Sequence, residues 1–450
     1  MKDNHDNSLT YLCNEFNKYN RISPENYKNF NVKRGLRNKD GTGVLAGLTL
    51  ISNVHGYILD EGDKIQIDGV LTYRGIDIKD IIANCIKENR YGFEEVIWLL
   101  LFDSLPTKEQ LSNFRGILSK HRALHEEFLE RTMASTPCTN IMNKMAQSVL
   151  SLYSYDSDPD STTLKNVLRQ SISLMAKLPA IAVAAYNIKE NKSIEGFNTL
   201  DASKDISFAE HVLTLIRGEG NFTQEEAHLL DICLILHAEH SGGNNSTFSC
   251  RVLSSSGTDT YSAISAAIGS LKGPKHGGAN KKVLEMLEAI KEGVDDATDD
   301  TQIAAMLRKI VAKEAGDKSG LIYGIGHAVY TLSDPRAVIL KDICKNLSKE
   351  KGFNDDFLIL SAVERLAPTI LFEKMGESKN LCANVDLYSG LIYRELGIDS
   401  ELFTPLFAVS RIAGWCAHRI EELNCSPKII RPAYKSLSKR IPYTPIDERN

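Results

Sequence analysis

The sequence predicts a mainly helical protein with one small β element near its N-terminus. Most of the chain after residue 75 places apolar residues at helical spacing, and glycine, proline and capping residues separate these stretches. Only the segment "VHGYILDEGDKIQIDGVLTYRG" contains convincing short alternating runs. We therefore expect one small sheet there and almost only helices afterwards.

The β element contains two dipeptides that are typical of turns. These are Glu61-Gly62 and Asp68-Gly69, and both interrupt the alternating pattern. Acidic residues followed by glycine favour tight hairpin turns, because glycine adopts positive φ without steric cost. The sequence therefore predicts a turn at each position.

The middle of the chain predicts three successive helices. Thr223 and Glu226 have the spacing of a capping box before "LLDICLILHAEH", whose apolar residues cover most of the circumference and indicate a buried helix. The next helix, "DTYSAISAAIGSLKG", stops at Gly273-Pro274. A third has one apolar face and Gly293 beyond its end, and that face is formed by Val283, Met286, Leu287 and Ile290.

Two later helices have proline near their predicted first turn. Asp334-Pro335 and Thr404-Pro405 each have the pattern of an N-cap followed by a first helical residue. In the second helix, Arg411, Trp415 and His418 lie on a different face from the apolar stripe. The acidic stretch "EGVDDATDDT" predicts a surface loop between helices.

The composition limits the classes of partner. The 450 residues carry a formal net charge of -5, which gives no electrostatic reason to expect nucleic acid or an anionic membrane. The N-terminus is polar, and no apolar run approaches the roughly 20 residues needed to span a bilayer. The nine cysteines form no C-x-x-C pair. We expect a cytoplasmic protein with reduced thiols.

Four clusters combine ionisable residues with a glycine or a helix end. They are "HAEHSGGNNSTF", "GPKHGGAN", "GIGHAVYTLSDPRA" and "NVDLYSG", and they contain His237, His240, His276, His327, Arg336 and Asp386. Each cluster also has a purely structural interpretation. The pair in "HAEH" is compatible with core histidines or a helix end, and it fits the zinc-protease pattern poorly because its histidines are three residues apart.

The histidine of "GPKHGGAN" lies where a helix is predicted to begin. The positive end of the helix dipole disfavours imidazolium there, and a neutral imidazole donates one N–H to a developing oxyanion. The neighbouring glycines let a ligand approach the backbone closely. The alternative is a plain turn between helices.

Two further residues suit carboxylate binding and proton transfer. His327 lies in a loop nine residues before Arg336, whose planar fork matches a carboxylate. Asp386 precedes the helical pattern "LYSGLIYREL", which makes it a candidate N-cap as well as a candidate base. The local sequence does not separate these roles.

The ordered set of clusters, followed by "FTPLFAVSRIAGWCAHRIEE" and "IIRPAY", closely resembles the citrate synthase family. The resemblance extends from about "GVLAGLT" to "IIRPAY", and it implies condensation of acetyl-CoA with oxaloacetate to give citrate and CoA. It also implies a multi-helical large domain at 46–277 and 384–450, an inserted small helical domain at 278–383 and an N-terminal arm at 1–45. In such enzymes the small domain closes over the large one.

The resemblance assigns roles residue by residue. Asp386 matches the base, His276 the donor to the thioester oxygen, and His327 the donor to the ketone of oxaloacetate. The positions that match oxaloacetate ligands are His237, His240, Arg336, Arg411 and Arg431. Those that match the CoA side are Tyr323, Gly324, Gly326 and Lys379. The resemblance implies no metal and no cofactor, because acetyl-CoA is a substrate, and it implies a homodimer in which Arg431 reaches the neighbouring site.

Three alternatives stay open at this stage. A 2-methylcitrate synthase uses propionyl-CoA on the same residues, and one methylene changes binding by only about 1–3 kcal/mol. A metalloenzyme would be built on His237, His240, His276 and Asp386. A non-catalytic CoA-binding protein would retain the fold, but here the catalytic positions are intact.

Overall fold

A computed structural model describes residues 2–19, 22–38, 40–61, 63–197, 206–375, 381–425 and 428–449. The chain forms two compact units, Met1–Leu48 and Thr49–Asn450. Each unit is described by itself. The predicted domain boundaries at 45, 278 and 383 stay predictions.

The first unit contains two helices, α1 (Lys2–Tyr19) and α2 (Pro24–Asn29). The hydroxyl of Ser23 accepts a hydrogen bond from the backbone N–H of Glu25 and so caps α2. A short helical turn at Arg34–Leu36 follows, and Arg37 forms an isolated antiparallel bridge with Gly43.

The second unit opens with the predicted sheet. Strands β1 (Ser52–Asp60), β2 (Asp63–Tyr73) and β3 (Ile76–Asp77) pair antiparallel in chain order. In the first hairpin Asp60 pairs with Asp63, and of the predicted turn between them Gly62 lies outside the described residues. The prediction of a mainly helical chain with one small N-terminal sheet is confirmed.

The predicted turn at Asp68-Gly69 is wrong, because both residues lie inside β2. Gly69 is needed for close packing instead. Its N–H donates to the carbonyl oxygen of Ser333 at 3.1 Å, and a Cβ at this position would clash with that oxygen and lie 2.8 Å from Cδ1 of Tyr330. The sheet therefore packs directly on the loop that precedes Arg336.

Gly69→Ala should lower the free energy of unfolding by about 1–3 kcal/mol, because the added methyl group overlaps backbone that has no room to move. Urea unfolding measures the change. Gly116→Ala is the matched control: Gly116 lies on the exposed side of a helix with no atom within 4 Å of a Cβ, so alanine should stabilise by about 0.5–1 kcal/mol. Equal effects at both sites would contradict this account.

Helices form most of the rest of the described chain. The earlier ones are α3 (Ile78–Lys87), α4 (Phe93–Phe102), α5 (Lys108–Lys120), α6 (Glu126–Phe128, continued by a π-helical turn at Leu129–Ala134), α7 (Ile141–Ser151), α8 (Leu164–Lys189), α9 (Phe208–Arg217) and α10 (Gln224–His237). The later ones are α11 (Asn245–Ser254), α12 (Thr260–Leu271), α13 (Ala279–Lys291), α14 (Asp300–Val311), α15 (Pro335–Lys351), α16 (Asn354–Met375), α17 (Asp386–Glu395) and α18 (Phe403–Cys425).

Local capping signals set several of these boundaries. The capping box of Thr223 and Glu226 forms at the start of α10, and Asp334 caps α15 with Pro335 in its first turn, as predicted. The predicted start at Thr404-Pro405 is wrong by two residues, because α18 begins at Phe403 directly after a short helical turn at Ser400–Leu402. The Thr404 hydroxyl donates to the carbonyl oxygen of Gly277 at 3.1 Å instead of capping the helix.

The core of the second unit is built around two long helices, α8 and α18. Helix α8 has the length and apolar composition that a membrane span requires, but 72% of its most apolar stretch is buried inside the protein, which is the behaviour of a core helix. Helix α18 is buried on both its apolar and its polar face, and Arg411, Trp415 and His418 are each 0% exposed. These polar side chains therefore need partners within the fold.

Candidate active site

The predicted residues of the four clusters converge in the second unit. His237 is the last residue of α10, His240 follows three residues later, and His276 and His327 lie in loops. The ring centroids of His240 and His327 are 5.0 Å apart. The remaining cluster residues, Arg336 and Asp386, lie on α15 and α17. The charges of Arg336 and of Arg411 on α18 act on both His240 and Asp386.

Burial keeps three of these histidines neutral at pH 7. It lowers the pKa of His237 to about 3 and that of His276 to about 4, with Arg411 adding to both shifts. Burial and the nearby arginines also hold the pKa of His240 well below its usual range. Burial and the positive charge of Arg411 therefore favour the neutral form that was predicted for His276, by a different cause from the helix dipole. The ring itself precedes α13, which begins at Ala279.

Backbone hydrogen bonds fix which ring nitrogen carries the proton in two histidines. The N–H of Ser246 donates to Nε2 of His276 at 3.4 Å, and the Ser246 hydroxyl lies 3.0 Å from the same nitrogen. The N–H groups of Val329 and Tyr330 both donate to Nδ1 of His327, at 3.0 and 3.1 Å. The proton is therefore on Nδ1 of His276 and on Nε2 of His327.

His237, at the end of α10, and His240, just beyond it, each present a buried nitrogen atom without a partner in the described chain. Nδ1 of His237 donates to the carbonyl oxygen of Cys233 at 2.7 Å, while Nε2 of His237 and Nε2 of His240 have no hydrogen-bond partner. Buried polar atoms are normally satisfied, so each of these atoms suits a bound polar ligand.

The two buried arginines differ in what holds them. Arg336 donates from Nε and Nη2 to the carboxylate of Asp334, at 3.0 and 2.7 Å. Arg411 donates from Nε to the carbonyl oxygen of His237 at 2.6 Å, but its Nη1 and Nη2 are buried without a partner among the described residues. Burial lowers the pKa of Arg411 to about 10, so the guanidinium stays charged and suits a bidentate carboxylate.

Asp386 is a buried carboxyl group at the first residue of α17. Its Oδ1 has no hydrogen-bond partner in the described structure, and the N-cap position belongs to Val385. The N-cap alternative for Asp386 is therefore wrong. Burial raises its pKa to about 7, although Arg336 and Arg411 oppose the shift. A carboxyl group with this pKa can accept a proton near neutral pH.

The predicted CoA loop lies against the start of α17. Gly324 and Gly326 flank an isolated bridge between Ile325 and Ala383, and Gly324 has a φ of +81°. A Cβ at Gly324 would lie 2.7 Å from Leu387 Cδ1, so only glycine allows this approach. Tyr323 donates to Asp317 at 2.6 Å.

The described structure does not test the roles of two predicted site residues. Lys379 lies outside the described residues. Arg431 is exposed in the segment without regular secondary structure that follows α18. Their predicted roles stay predictions.

Other residues complete the site without having been assigned to it from the sequence. Trp415 donates from Nε1 to the Ser246 hydroxyl at 3.1 Å, and so supports the residue that orients His276. Tyr330 stacks on His327 with ring centroids 4.6 Å apart. The signals for Ser246 and Tyr330 were their positions in the clusters "HAEHSGGNNSTF" and "GIGHAVYTLSDPRA", and the signal for Trp415 was its place on one helix face with Arg411 and His418.

The metal-site alternative finds no geometric support in the described part of the chain. Within it, no three or more His, Cys, Asp or Glu side chains lie together as a metal site requires. His237, His240, His276 and Asp386 all belong to that part.

The sequence and the fold match known proteins over most of their length. The family model described as citrate synthase, C-terminal domain, matches residues 40–433. A citrate synthase of Synechocystis is 32% identical over 91% of this chain and 94% of its own, and a 2-methylcitrate synthase of Shewanella oneidensis is 33% identical over 82% and 90%. A citrate synthase of Thermoplasma acidophilum, solved with carboxymethyl coenzyme A and oxaloacetate, superimposes with a TM-score of 0.75 at 25% identity, over 93% of this chain and 99% of its own.

Proposed function

Because this chain belongs to the citrate synthase family and is an enzyme of the condensing type, we propose that it joins acetyl-CoA to oxaloacetate. One water is consumed, and citrate and free CoA are released. The observation that carries the proposal is the set of buried polar atoms without partners. They combine a base, Asp386 Oδ1, with an unpaired guanidinium fork on Arg411 and with neutral imidazoles.

The first step is removal of a proton from the thioester methyl group. Asp386 takes this proton on its carboxylate, and its raised pKa makes it a stronger base than an exposed aspartate. The enol oxygen needs a donor that is not itself charged. His276 supplies Nδ1–H, because Ser246 occupies its Nε2.

The second step forms the new carbon–carbon bond. The enol carbon attacks the ketone carbon of oxaloacetate, and the ketone oxygen receives the proton that His327 holds on Nε2. The proton that Asp386 took in the first step then replaces the one that His327 gave up. Water attacks the thioester carbonyl, the carbon–sulfur bond breaks, one proton of the water goes to the sulfur, and CoA leaves as the thiol. This order conserves all atoms.

Oxaloacetate carries two carboxylates and a ketone, which the arginines and histidines suit. The unpaired Nη1 and Nη2 of Arg411 provide one bidentate clamp, and Nε2 of His240 provides a neutral donor when it carries the ring proton. Nε2 of His237 has no proton to donate, because Nδ1 of that ring donates to the carbonyl oxygen of Cys233. Arg336 contributes Nη1, the guanidinium nitrogen that does not donate to Asp334. Together they place the ketone next to His327, whose ring lies 5.0 Å from that of His240.

We also propose a homodimer in the cytoplasm. The segment after α18 exposes large apolar side chains together with Arg431, namely Ile429, Tyr434, Ile441, Tyr443 and Ile446. A partner subunit would cover these side chains and receive Arg431 in its site.

The proposed location in the cytoplasm rests on the cysteines. All nine cysteines are free thiols, which suits a reducing compartment.

The acyl group is the finer part of the proposal, and its test is a comparison of two substrates. We expect kcat/KM with oxaloacetate to be about 10-fold or more higher for acetyl-CoA than for propionyl-CoA, because a buried Asp386 leaves little room for another methylene. Release of free CoA measures both rates. A preference for propionyl-CoA would replace this assignment with 2-methylcitrate synthesis, and no release with either thioester would overturn the condensing function.

A further inference from the structure

One face of α18 supports the chain segment that leads to His240. Arg411 Nε donates to the carbonyl oxygen of His237 at 2.6 Å, and the N–H of Gly414 donates to the carbonyl oxygen of Ala238 at 3.2 Å. The next contact is made by side chains: Nε2 of His418 lies 2.9 Å from Oε1 of Glu239. Positions 411, 414 and 418 share one helix face, so they follow residues 237 to 239 in register.

Glu239 is a buried carboxylate at the centre of this contact. It is 0% exposed. Arg251 Nε donates to Nδ1 of His418 at 3.0 Å, so His418 carries its proton on Nε2 and donates it to Glu239. Burial opposes ionisation, but His418 and Arg411 together lower the pKa of Glu239 to about 2, and the group is a permanent acceptor at pH 7.

Ser52 at the start of β1 connects both sequence neighbours of His240. Its hydroxyl donates to Oε1 of Glu239 at 3.0 Å and accepts from the N–H of Ser241, also at 3.0 Å. Ser241 has a φ of +70°, which is rare for a residue other than glycine. A strained residue of this kind persists only where its surroundings hold it. The hydroxyl of Ser52 supplies such a hold directly after His240.

Close packing leaves no space for this arrangement to shift. A Cβ at position 414 would clash with the carboxylate of Glu239 and lie 2.7 Å from the carbonyl oxygen of Ala238. Tyr73 adds a further restraint, because its hydroxyl donates to the carbonyl oxygen of Ile235 at 2.9 Å and receives the N–H of Glu239 at 3.3 Å. The backbone on both sides of His240 is therefore fixed from the sheet and from α18.

We propose that Ser52, Glu239 and His418 are positioning residues that hold His240 in the place where it contacts oxaloacetate. This inference rests on the proposed function. None of the three is required to touch substrate, so their loss weakens the binding of oxaloacetate and leaves the chemical step and the CoA side largely unchanged. The small N-terminal sheet thereby acquires a part in the site, through Ser52.

The test compares steady-state constants of four variants. Ser52→Ala and Glu239→Ala should raise KM for oxaloacetate about 10-fold or more, with kcat at saturating oxaloacetate and KM for acetyl-CoA each within about 3-fold of the parent. Glu239→Gln should recover most of the loss, since its side-chain oxygen still accepts from His418 and Ser52. Ser249→Ala, which removes a hydroxyl bonded only within α11, is the matched control and should change nothing.

A merely structural role would give a different result. It would lower the melting temperature and the amount of active enzyme without separating the two KM values, and that outcome would overturn the proposal. So would a Glu239→Gln protein as impaired as Glu239→Ala. If Glu239→Ala does not fold, Ser52→Ala decides, because it removes one hydroxyl only.

The proposed function and the positioning role of Ser52, Glu239 and His418 are tested separately. The parent protein's CoA release tests the condensation. Calorimetry on the parent and on Ser52→Ala gives the dissociation constant of oxaloacetate. This comparison tests the positioning role even if no thioester is consumed. An unchanged dissociation constant in Ser52→Ala would overturn the positioning role.

Discussion

Asp386→Asn should lower kcat for condensation by about two to four orders of magnitude, because asparagine cannot accept the proton of the thioester methyl group. The variant should still bind CoA, since the base lies at the reacting end of the substrate. In the parent protein, kcat/KM should fall as the pH drops below about 7, where burial keeps the carboxyl protonated in the free enzyme. Assays of CoA release at a series of pH values between about 5.5 and about 9, which include that pKa, measure both effects.

The same variant has an expected effect on stability, with a sign that follows from the pKa. The pKa of Asp386 is higher in the folded than in the unfolded protein, so ionisation opposes folding as the pH rises from about 4 to about 7. Asp386→Asn should therefore be more stable than the parent at pH 8, by up to a few kcal/mol, and the difference should vanish below about pH 4. Asp295→Asn, in the exposed acidic loop, is the control for the measurements of turnover and of stability.

Near-normal turnover of a folded Asp386→Asn protein would contradict the assignment of Asp386 as the base.

A randomly exchanged mixture of Arg431→Ala and Asp386→Ala should regain about one quarter of the parent activity, although each variant alone is nearly inactive. If Arg431 enters the partner's site, each mixed dimer has one site with both residues intact. Random exchange makes about half of the dimers mixed, and half of their sites work. Co-expression with two different affinity tags, followed by the CoA release assay, measures the recovery.

The control for this experiment is the mixture of each variant with itself, which should recover nothing. Proven subunit exchange without recovered activity would contradict the shared site. A monomer in solution at assay concentration would contradict it as well.

Some elements of the fold could be predicted because their causes lie within a few residues. Thr223 and Glu226 form their capping box from each other's side chains and backbone, and Asp334 caps its own helix. The alternating pattern of the sheet is also local. Such features need no information from distant parts of the chain.

Other elements could not be predicted, because their causes are contacts across long stretches of sequence. Gly69 has the local signature of a turn, but it lies in a strand where the loop at Ser333 leaves no room for a side chain. Thr404 precedes a proline as an N-cap does, yet its hydroxyl is taken by Gly277. In both cases packing overrides a local preference that is worth about 1 kcal/mol.

The sequence by itself determined the mainly helical class, the order of the four clusters and the identity of the candidate catalytic residues. Only the tertiary structure decided their chemical state. Burial and the charges of Arg336 and Arg411 set the pKa of Asp386, and hydrogen bonds from Ser246 and from residues 329 and 330 set the protonated nitrogens of His276 and His327. The reason is physical: desolvation and the direction of hydrogen bonds depend on neighbours that come from distant parts of the chain.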